Sequence, residues 1–396
     1  MVPKGWKLTS LGEICNGNLQ TGPFGSQLHA HEYVPVGIPV LMPKDLIGCR
    51  AKLADAAKIN QKKAQELKKH FLKTGDLLFS RRGDVARFAL IDEESEGSIC
   101  GTGCLKARPS DKHSSVFLAY FLQKDSIRKW LEQNAVGQTM PNMNTEILNE
   151  LPLMAASSKQ EEDRIAKILS TWDKVISVTE KLLTNSQLQK KALMQQLLTG
   201  KKRLMRDNGG RFTKKWEETT LGDIAKITTG NSNRQDSTLD GKYTFFDRSE
   251  DIRTSSIYLF DSEAIIVPGE GQRFVPKYFI GKFDLHQRTY AIMDFDGYSG
   301  KFLFYMIDHL KAYFLSQAVG STVKSLRLPM FQKMVFEAPE IEEQQKIASV
   351  LSAADAEISI LEKKLACLKD EKKALMQQLL TGKRRVKVEA EEAVSA

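Results

Sequence analysis

The 396-residue chain has no run of about 18 apolar residues that could span a bilayer. Its opening, MVPKGWKLTSLGEI, lacks the apolar core of a secretion signal. Cysteine is scarce: Cys15, Cys49, Cys100, Cys104 and Cys367 are odd in number and scattered, which argues against a disulfide framework and for a reducing compartment. These absences predict a cytoplasmic protein with no membrane contact. CGTGC at 100–104 has loose metal spacing and no second pair, so small buried thiols are expected there and no metal site.

Catalytic signatures are missing as well. GEG at 269–271 continues as QRF, without the third glycine of a dinucleotide fingerprint, and the TGK triplets lack the upstream glycine of a phosphate loop. There is no H-E-x-x-H and no G-x-S-x-G. Nor is there an Asn-Pro-Pro-aromatic tetrapeptide, the loop that holds a flipped adenine in an amino-methyltransferase. His29 and His31 lie in a loop with no cysteine or carboxylate pair beside them and read as polar loop residues. The expectation is binding rather than chemistry, with no catalytic residue in this chain.

The net charge of +9 and pI near 9.1 admit nucleic acid as a partner. The excess is concentrated. Residues 200–215, GKKRLMRDNGGRFTKK, carry seven basic residues and one acidic, whereas residues 216–337 have 14 basic and 16 acidic.

The chain is a tandem repeat. KKALMQQLLTGK occurs at 190–201 and again at 372–383, an offset of 182 residues. At the same offset Glu161, Ile165, Ala166, Leu169, Ser170, Asp173 and Ile176 meet identical residues at 343, 347, 348, 351, 352, 355 and 358. AVGQT at 135–139 matches AVGST at 318–322, and Trp6 with LTSLGEI matches Trp216 with TTLGDI. Between these anchors the bodies diverge. Short β-rich runs (IPVLM, DLLFS, FALI, YTFF, AIIV) separated by Gly, Pro, Asn and Asp predict mixed α/β domains with long polar loops. VFLAYFLQKDSIRKWLEQ and KFLFYMIDHLKAYFLSQ have helical spacing suited to packing on a sheet.

Two stretches carry coiled-coil periodicity. One stripe runs through Ile165, Leu169, Trp172, Ile176, Thr179, Leu183, Ser186, Lys190, Leu193 and Leu197. The other runs through Ile347, Leu351, Ala354, Ile358, Leu361, Leu365, Leu368, Lys372, Leu375 and Leu379. Lys190 and Lys372 fall on these seams at the same level, where a polar residue weakens association but fixes register. Thr-Gly at 199–200 and 381–382 predicts the helix ends. The resulting fold class is α/β (α+β): two mixed domains joined by two long antiparallel coiled-coil helices in a pseudo-twofold tandem repeat, with the domains expected at opposite ends. The expected boundaries are a first domain at 1–156, a helix at 157–200, a basic linker at 201–215, a second domain at 216–337, a helix at 338–382 and a flexible tail at 383–396.

These anchors resemble a family. APEIEEQQKIASVL at 338–351 with Asp355 and Ile358, and KKALMQQLLTGK, are similar to the specificity subunit of Type I restriction-modification systems. GPFGS with GDLLFSRRGD, and TGNSN with EAIIVPGEGQ, resemble its target-recognition domains. One departure stands out: the first repeat has Glu161-Glu162-Asp163 where the family pattern has Glu-Gln. The resemblance implies a non-catalytic DNA-reading subunit in which each domain reads half of a split double-stranded DNA target. Its partners would be two methyltransferase subunits and two restriction (motor-nuclease) subunits. S-adenosylmethionine, ATP and Mg would sit on those partners, none on this chain. The alternative reading is a coiled-coil protein adaptor that does not bind DNA, which the slightly acidic second domain favours.

Base readout needs Arg, Lys, Asn, Gln, Ser or Thr on loops that reach a groove. The DNA-binding candidates in the first domain are Gln20, Ser26, Gln27, His29, Lys44, Arg81, Arg82, Thr139 and Asn142. In the second they are Asn231, Asn233, Arg234, Gln235, Arg248, Gln272, Arg273, Thr322 and Lys324. Lys201, Lys202, Arg203 and Arg206 of the connector are candidates for phosphate contact or simple solvation.

Overall fold

The computed structural model describes residues 2–137 and 141–387. It divides into two compact units, residues 1–178 with 365–396, and residues 179–364. Each unit therefore contains one mixed α/β body and a stretch of both long helices.

Those helices run Lys159–Leu197 and Ile341–Leu379, 39 residues each, or about 60 Å at 1.5 Å per residue. Their interiors hold no proline. Gly200 and Gly382 terminate them in the left-handed region (φ 66° and 65°), which lets the following amides turn back: Lys202 N to Gln196 O at 3.0 Å and Arg384 N to Gln378 O at 3.1 Å. No seam residue is exposed. Ile165, Leu169, Leu197, Ile347, Leu351 and Leu379 are at most 1% accessible, and the mid-helix positions are half-buried or better. Full burial of such side chains contributes roughly 1.5–3 kcal/mol each.

In the first unit a strand Lys7–Ser10 pairs antiparallel with Pro152–Ala155, and the LG-E-I motif forms a short helix Leu11–Ile14. A six-stranded sheet follows in the order Leu19–Thr21, Cys104–Ala107, Leu77–Ser80, Phe88–Leu90, Cys49–Ala51, Leu46–Ile47, with a smaller four-stranded sheet beside it in sequence. The helical segment at 116–133 is two helices, Ser115–Leu122 and Asp125–Asn134, because Lys124 takes an extended backbone (φ −68°, ψ 138°). The core joins Leu77, Phe79 and Leu105 of the sheet to Phe117, Leu118 and Phe121, to Ile165, Leu169 and Leu379 of the long helices, and to Leu380 just after the second of them.

The second unit repeats the frame. Glu217–Thr220 pairs with Val335–Ala338, the short helix is Leu221–Ile224, and the six-stranded sheet runs Lys226–Thr229, Thr289–Met293, Phe260–Pro268, Lys277–Leu285, Tyr243–Phe246, Arg253–Ser255. Its helical segment also divides, into Gly300–His309 and Lys311–Gln317. Its core joins Ile265, Val267 and Ile292 to Phe302, Tyr305 and Met306, and to Leu197, Leu198, Ile347 and Leu351.

Matching polar contacts tie body to helices in each unit. Tyr120 donates to Asp173 Oδ2 at 2.5 Å, and Lys372 reaches Asp173 Oδ1. In the second unit Tyr305 donates to Asp355 Oδ2 at 2.6 Å, and Lys190 reaches Asp355 Oδ1 at 2.5 Å. The seam lysines thus take an aspartate from the opposing helix. Arg385 grips buried Glu161 with two nitrogens at 2.6 and 2.9 Å, and Arg203 grips buried Glu343 with two at 2.5 Å. In both units late residues of one helix meet early residues of the other, so the pairing is antiparallel.

The departure at Glu161-Glu162-Asp163 also resolves. Glu162 Oε2 accepts the amide of Ser114 at 2.8 Å, and Gln344 Oε1 accepts the amide of Ser299 at 3.0 Å. Both serines precede the first residue of the helix packed on the sheet. Either side chain supplies the carbonyl-type oxygen that this amide needs, so glutamate stands in for glutamine.

Candidate nucleic-acid interface

The first unit's candidate loops meet around one hub, the CGTGC segment. Gly22 N donates to Cys104 O at 2.9 Å, Arg81 N to Gly103 O at 2.8 Å and Gly101 N to Leu41 O at 2.9 Å. The glycine spacing serves this crowding: a Cβ on Gly22 would lie 1.8 Å from Gly101 O, and one on Gly101 would lie 2.5 Å from Leu41 O. Cys100 and Cys104 point into the core, where burial pushes the Cys100 thiol up to about 12. Among the described residues no group of His, Cys, Asp and Glu could hold a metal ion.

From the hub, the loop after Thr21 carries exposed Ser26 and His29 and half-buried Gln27. Gln27 Oε1 accepts Phe24 N at 3.1 Å, and Glu32 closes the loop by accepting His29 N at 2.6 Å. The His29 ring stacks on His31 with centroids 5.5 Å apart. Lys44 is exposed and reaches Asp55 O at 3.2 Å. Gln20 is not on the rim; it lies in strand Leu19–Thr21 opposite Lys106, half-buried.

Arg81 and Arg82 leave the end of strand Leu77–Ser80, and Ser80 Oγ fixes their turn by donating to Arg82 O at 2.9 Å. Asn142 comes to the same place. It bridges Arg82 and exchanges two backbone bonds with Val136 at 2.8 and 3.0 Å, while Met143 N donates to Arg81 O at 2.8 Å. Arg81 Nε and Asn142 Oδ1 are buried with no hydrogen-bond partner among the described residues. Such groups are costly unless a partner arrives. Thr139 lies outside the described residues.

The second unit builds the same rim from different side chains. Asn233 precedes a one-turn helix, Arg234–Asp236, and Asp236 accepts its amide at 2.6 Å, the arrangement of His29 and Glu32. Gln287 donates to Asn233 Oδ1 at 2.5 Å, and Gln287 N to Ser232 O at 3.0 Å. Asn231 and Gln235 are exposed, and Arg234 lies 3.7 Å from Asp247. Burial raises Asp247, but hydrogen bonds from Ser249 and the charge of Arg234 outweigh it, and the net shift is down. Strand Glu270–Gly271 pairs with Lys324–Ser325, which brings Lys324 and the loop holding Thr322 beside Gln272 and Arg273; Arg273 lies 3.7 Å from Glu250. Arg248 and Arg288 both bind Glu270, at 2.9 and 2.7 Å.

Two of the connector's guanidinia, those of Arg203 and Arg206, bind carboxylates of the second long helix and the residue before it. Arg203 holds Glu343, and Arg206 binds both Glu340 and Glu342. Lys201 and Lys202 are exposed.

A frame of strand, short helix, sheet and long helix thus occurs twice, with two divergent polar rims. The model of the Type I restriction modification DNA specificity domain matches residues 3–187 and again residues 213–370. The chain belongs to this family. A putative Type I restriction enzyme MjaX specificity subunit of Methanocaldococcus jannaschii is similar over its whole length, 24% identical across 98% of this chain and 95% of that one. The EcoDI specificity subunit of Escherichia coli is 26% identical over 174 residues, 44% of this chain and 39% of that one. Among solved structures, the S subunit of a Type I restriction-modification system from M. genitalium superposes with a TM-score of 0.64 at 16% identity, covering 94% of this chain and 96% of that one. The HsdS subunit from Thermoanaerobacter tengcongensis gives 0.52 at 18% identity, covering 97% and 98%. At these identities the superpositions establish the fold.

Within a Type I specificity fold, sequence reasoning passed over Gln287 and Arg288. Their signal was present: HQR interrupts two alternating strands, FIGKFDL and TYAIM, where a tight polar turn carries a charged residue to the rim. The hub role of CGTGC left no comparable trace, because the carbonyls it approaches are far away in sequence.

Proposed function

We propose that this chain is the non-catalytic DNA-reading subunit of a Type I restriction-modification complex, each unit reading one half of a bipartite double-stranded target. The observation that carries the reading is the duplicated rim: in both units Arg, Asn, Gln and Lys side chains from separate loops converge at one end of the six-stranded sheet. Such donors recognise base edges and phosphates. The two long helices set the distance between half-sites, since readers about one duplex turn apart, ~34 Å, need a stiff spacer. The repeated helix ends dock two methyltransferase subunits, and two restriction subunits join through them. Adenine methylation and cleavage belong to those partners, which bind S-adenosylmethionine, ATP and Mg. No helix among the described residues is long and apolar enough to cross a membrane, and the complex acts on DNA in the cytoplasm.

Methylation mapping of the host genome with and without this gene tests the reading. A split, adenine-methylated motif that vanishes with the gene is expected; an unchanged methylome sinks it. Four residues inserted near Lys190 test the spacer role: the expected result is an altered gap between half-sites or failed assembly, and an unaltered motif removes the helices from that role.

A further inference from the structure

One carboxylate organises two arginines in the second unit. Glu270 Oε1 accepts Arg288 Nη1 at 2.7 Å and Oε2 accepts Arg248 Nη1 at 2.9 Å. The glutamate side chain is only 15% exposed, whereas the two arginines are 58% and 54% exposed. The backbone beneath it is held by the pairing of Glu270–Gly271 with Lys324–Ser325.

The same rim position is occupied differently in the first unit. Met143 N donates to Arg81 O at 2.8 Å, and Leu326 N donates to Gly269 O at 2.8 Å. One residue further on, Arg82 faces Asn142 and Glu270 faces Ser325. Arg82 and Glu270 are therefore equivalent. Among the described residues no carboxylate lies within ion-pair distance of Arg81 or Arg82. One unit puts a free guanidinium at this point, and the other puts an acid that binds two.

That difference has a chemical consequence. A loose arginine beside DNA turns to the nearest phosphate, because Coulomb attraction does not depend on sequence. An arginine anchored through one Nη keeps its remaining N–H groups in a fixed fork, the geometry that reads O6 and N7 of guanine. An acid at the rim also repels phosphate.

We propose that Glu270 is a positioning and specificity-determining residue: it holds Arg248 and Arg288 as base-reading forks for a guanine-containing half-site and keeps them off the phosphates. This rests on the DNA-reading function proposed above. The shared carboxylate makes the two arginines act as one unit.

The test uses the full chain with its methyltransferase partners and a pool of duplexes with a randomised core. The wild type first selects its bipartite sequence, and the Arg248→Ala/Arg288→Ala variant identifies the half-site read by this unit. Glu270→Gln is then compared with wild type on duplexes scrambled in either half, and on duplexes with 7-deazaguanine in the assigned half. The expected result is a roughly tenfold or greater loss of discrimination in the assigned half only, with insensitivity to 7-deazaguanine. The slope of log affinity against log salt steepens by about 1–2, because freed guanidinia take phosphates. Glu270→Asp restores part of the discrimination. Equal weakening on every duplex marks a merely structural residue and overturns the proposal, as does discrimination unchanged from wild type. If Glu270→Gln does not fold, the proposal stands or falls on Arg248→Ala/Arg288→Ala: loss of guanine N7 sensitivity in one half supports it, and retention overturns it. A wild type that enriches no sequence overturns the DNA-reading function itself, a result distinct from all of these.

Discussion

Lys372 Nζ lies 2.5 Å from Asp173 Oδ1, and the other oxygen of that carboxylate accepts the Tyr120 hydroxyl at 2.5 Å. One aspartate on the first long helix thus joins the second long helix to the helix packed on the sheet. Asp355 repeats the arrangement with Lys190 and Tyr305. Asp173→Ala removes both partners and is expected to cost roughly 1–2 kcal/mol, with the ion-pair share kept small by solvent. Lys372→Met keeps the seam apolar and is expected to cost less. Thermal unfolding of the two variants measures this; an Asp173→Ala midpoint equal to wild type refutes the triad's contribution.

Glu343 and Glu161 are fully buried, and each is neutralised by one arginine. Arg203→Ala leaves a buried carboxylate uncompensated, and a loss of about 3 kcal/mol is expected, larger than for Arg203→Met/Glu343→Leu together. For Glu161, burial acts to raise the pKa, but hydrogen bonds from Arg385 and Ser157 outweigh it and the net shift is down. Its contribution is therefore complete above the unfolded glutamate value, about 4.3, and is lost as pH falls below it. Denaturant titrations across that range should show Arg385→Ala differing most from wild type at neutral pH and converging with it in acid. A gap that widens in acid contradicts the assignment.

His70 is buried, and burial, followed by the charges of Lys69 and Lys106, lowers it to about 4 against an opposing backbone hydrogen bond at Thr21. The unfolded chain, titrating near 6.5, then takes up a proton that the folded protein refuses. Stability contributed by the neutral ring is full above about pH 6.5 and drains away as pH falls toward about 4. His70→Gln should flatten the dependence of the unfolding midpoint between those limits. An equally steep profile in the variant would place the acid sensitivity elsewhere.

Arg81 and Arg82 sit where the Ser80 turn meets Asn142. Arg81→Ala/Arg82→Ala is expected to weaken DNA binding at least tenfold at matched salt while leaving helix content intact by circular dichroism. Unchanged affinity removes this turn from the interface.

What could be read from the letters was what repeats or alternates locally. The long helices announce themselves because Ile165, Leu169, Ile176 and their counterparts recur at 3- and 4-residue steps. The turn holding Arg81 and Arg82 was visible from its glycine and the strand before it. Contacts between distant residues were not visible: Lys372 stands 199 positions from Asp173, and Tyr120 stands 53 from it. The seam lysines suggested register, yet nothing nearby named their aspartates. Gln20 reads as a loop residue from its neighbours, while strand Leu19–Thr21 takes it in. The unbroken apolar spacing of VFLAYFLQKDSIRKWLEQ hid the extended backbone at Lys124.

Arg385 lies 224 positions after Glu161. The first unit's buried carboxylate therefore waits, during synthesis, until the whole second unit has been made. A polypeptide cut short before that arginine leaves Glu161 without its counter-charge, with Lys4 and Ser157 deprived of the same guanidinium. The clasp ties stability to the order of synthesis: the beginning of the first long helix is neutralised only after the second long helix has been made.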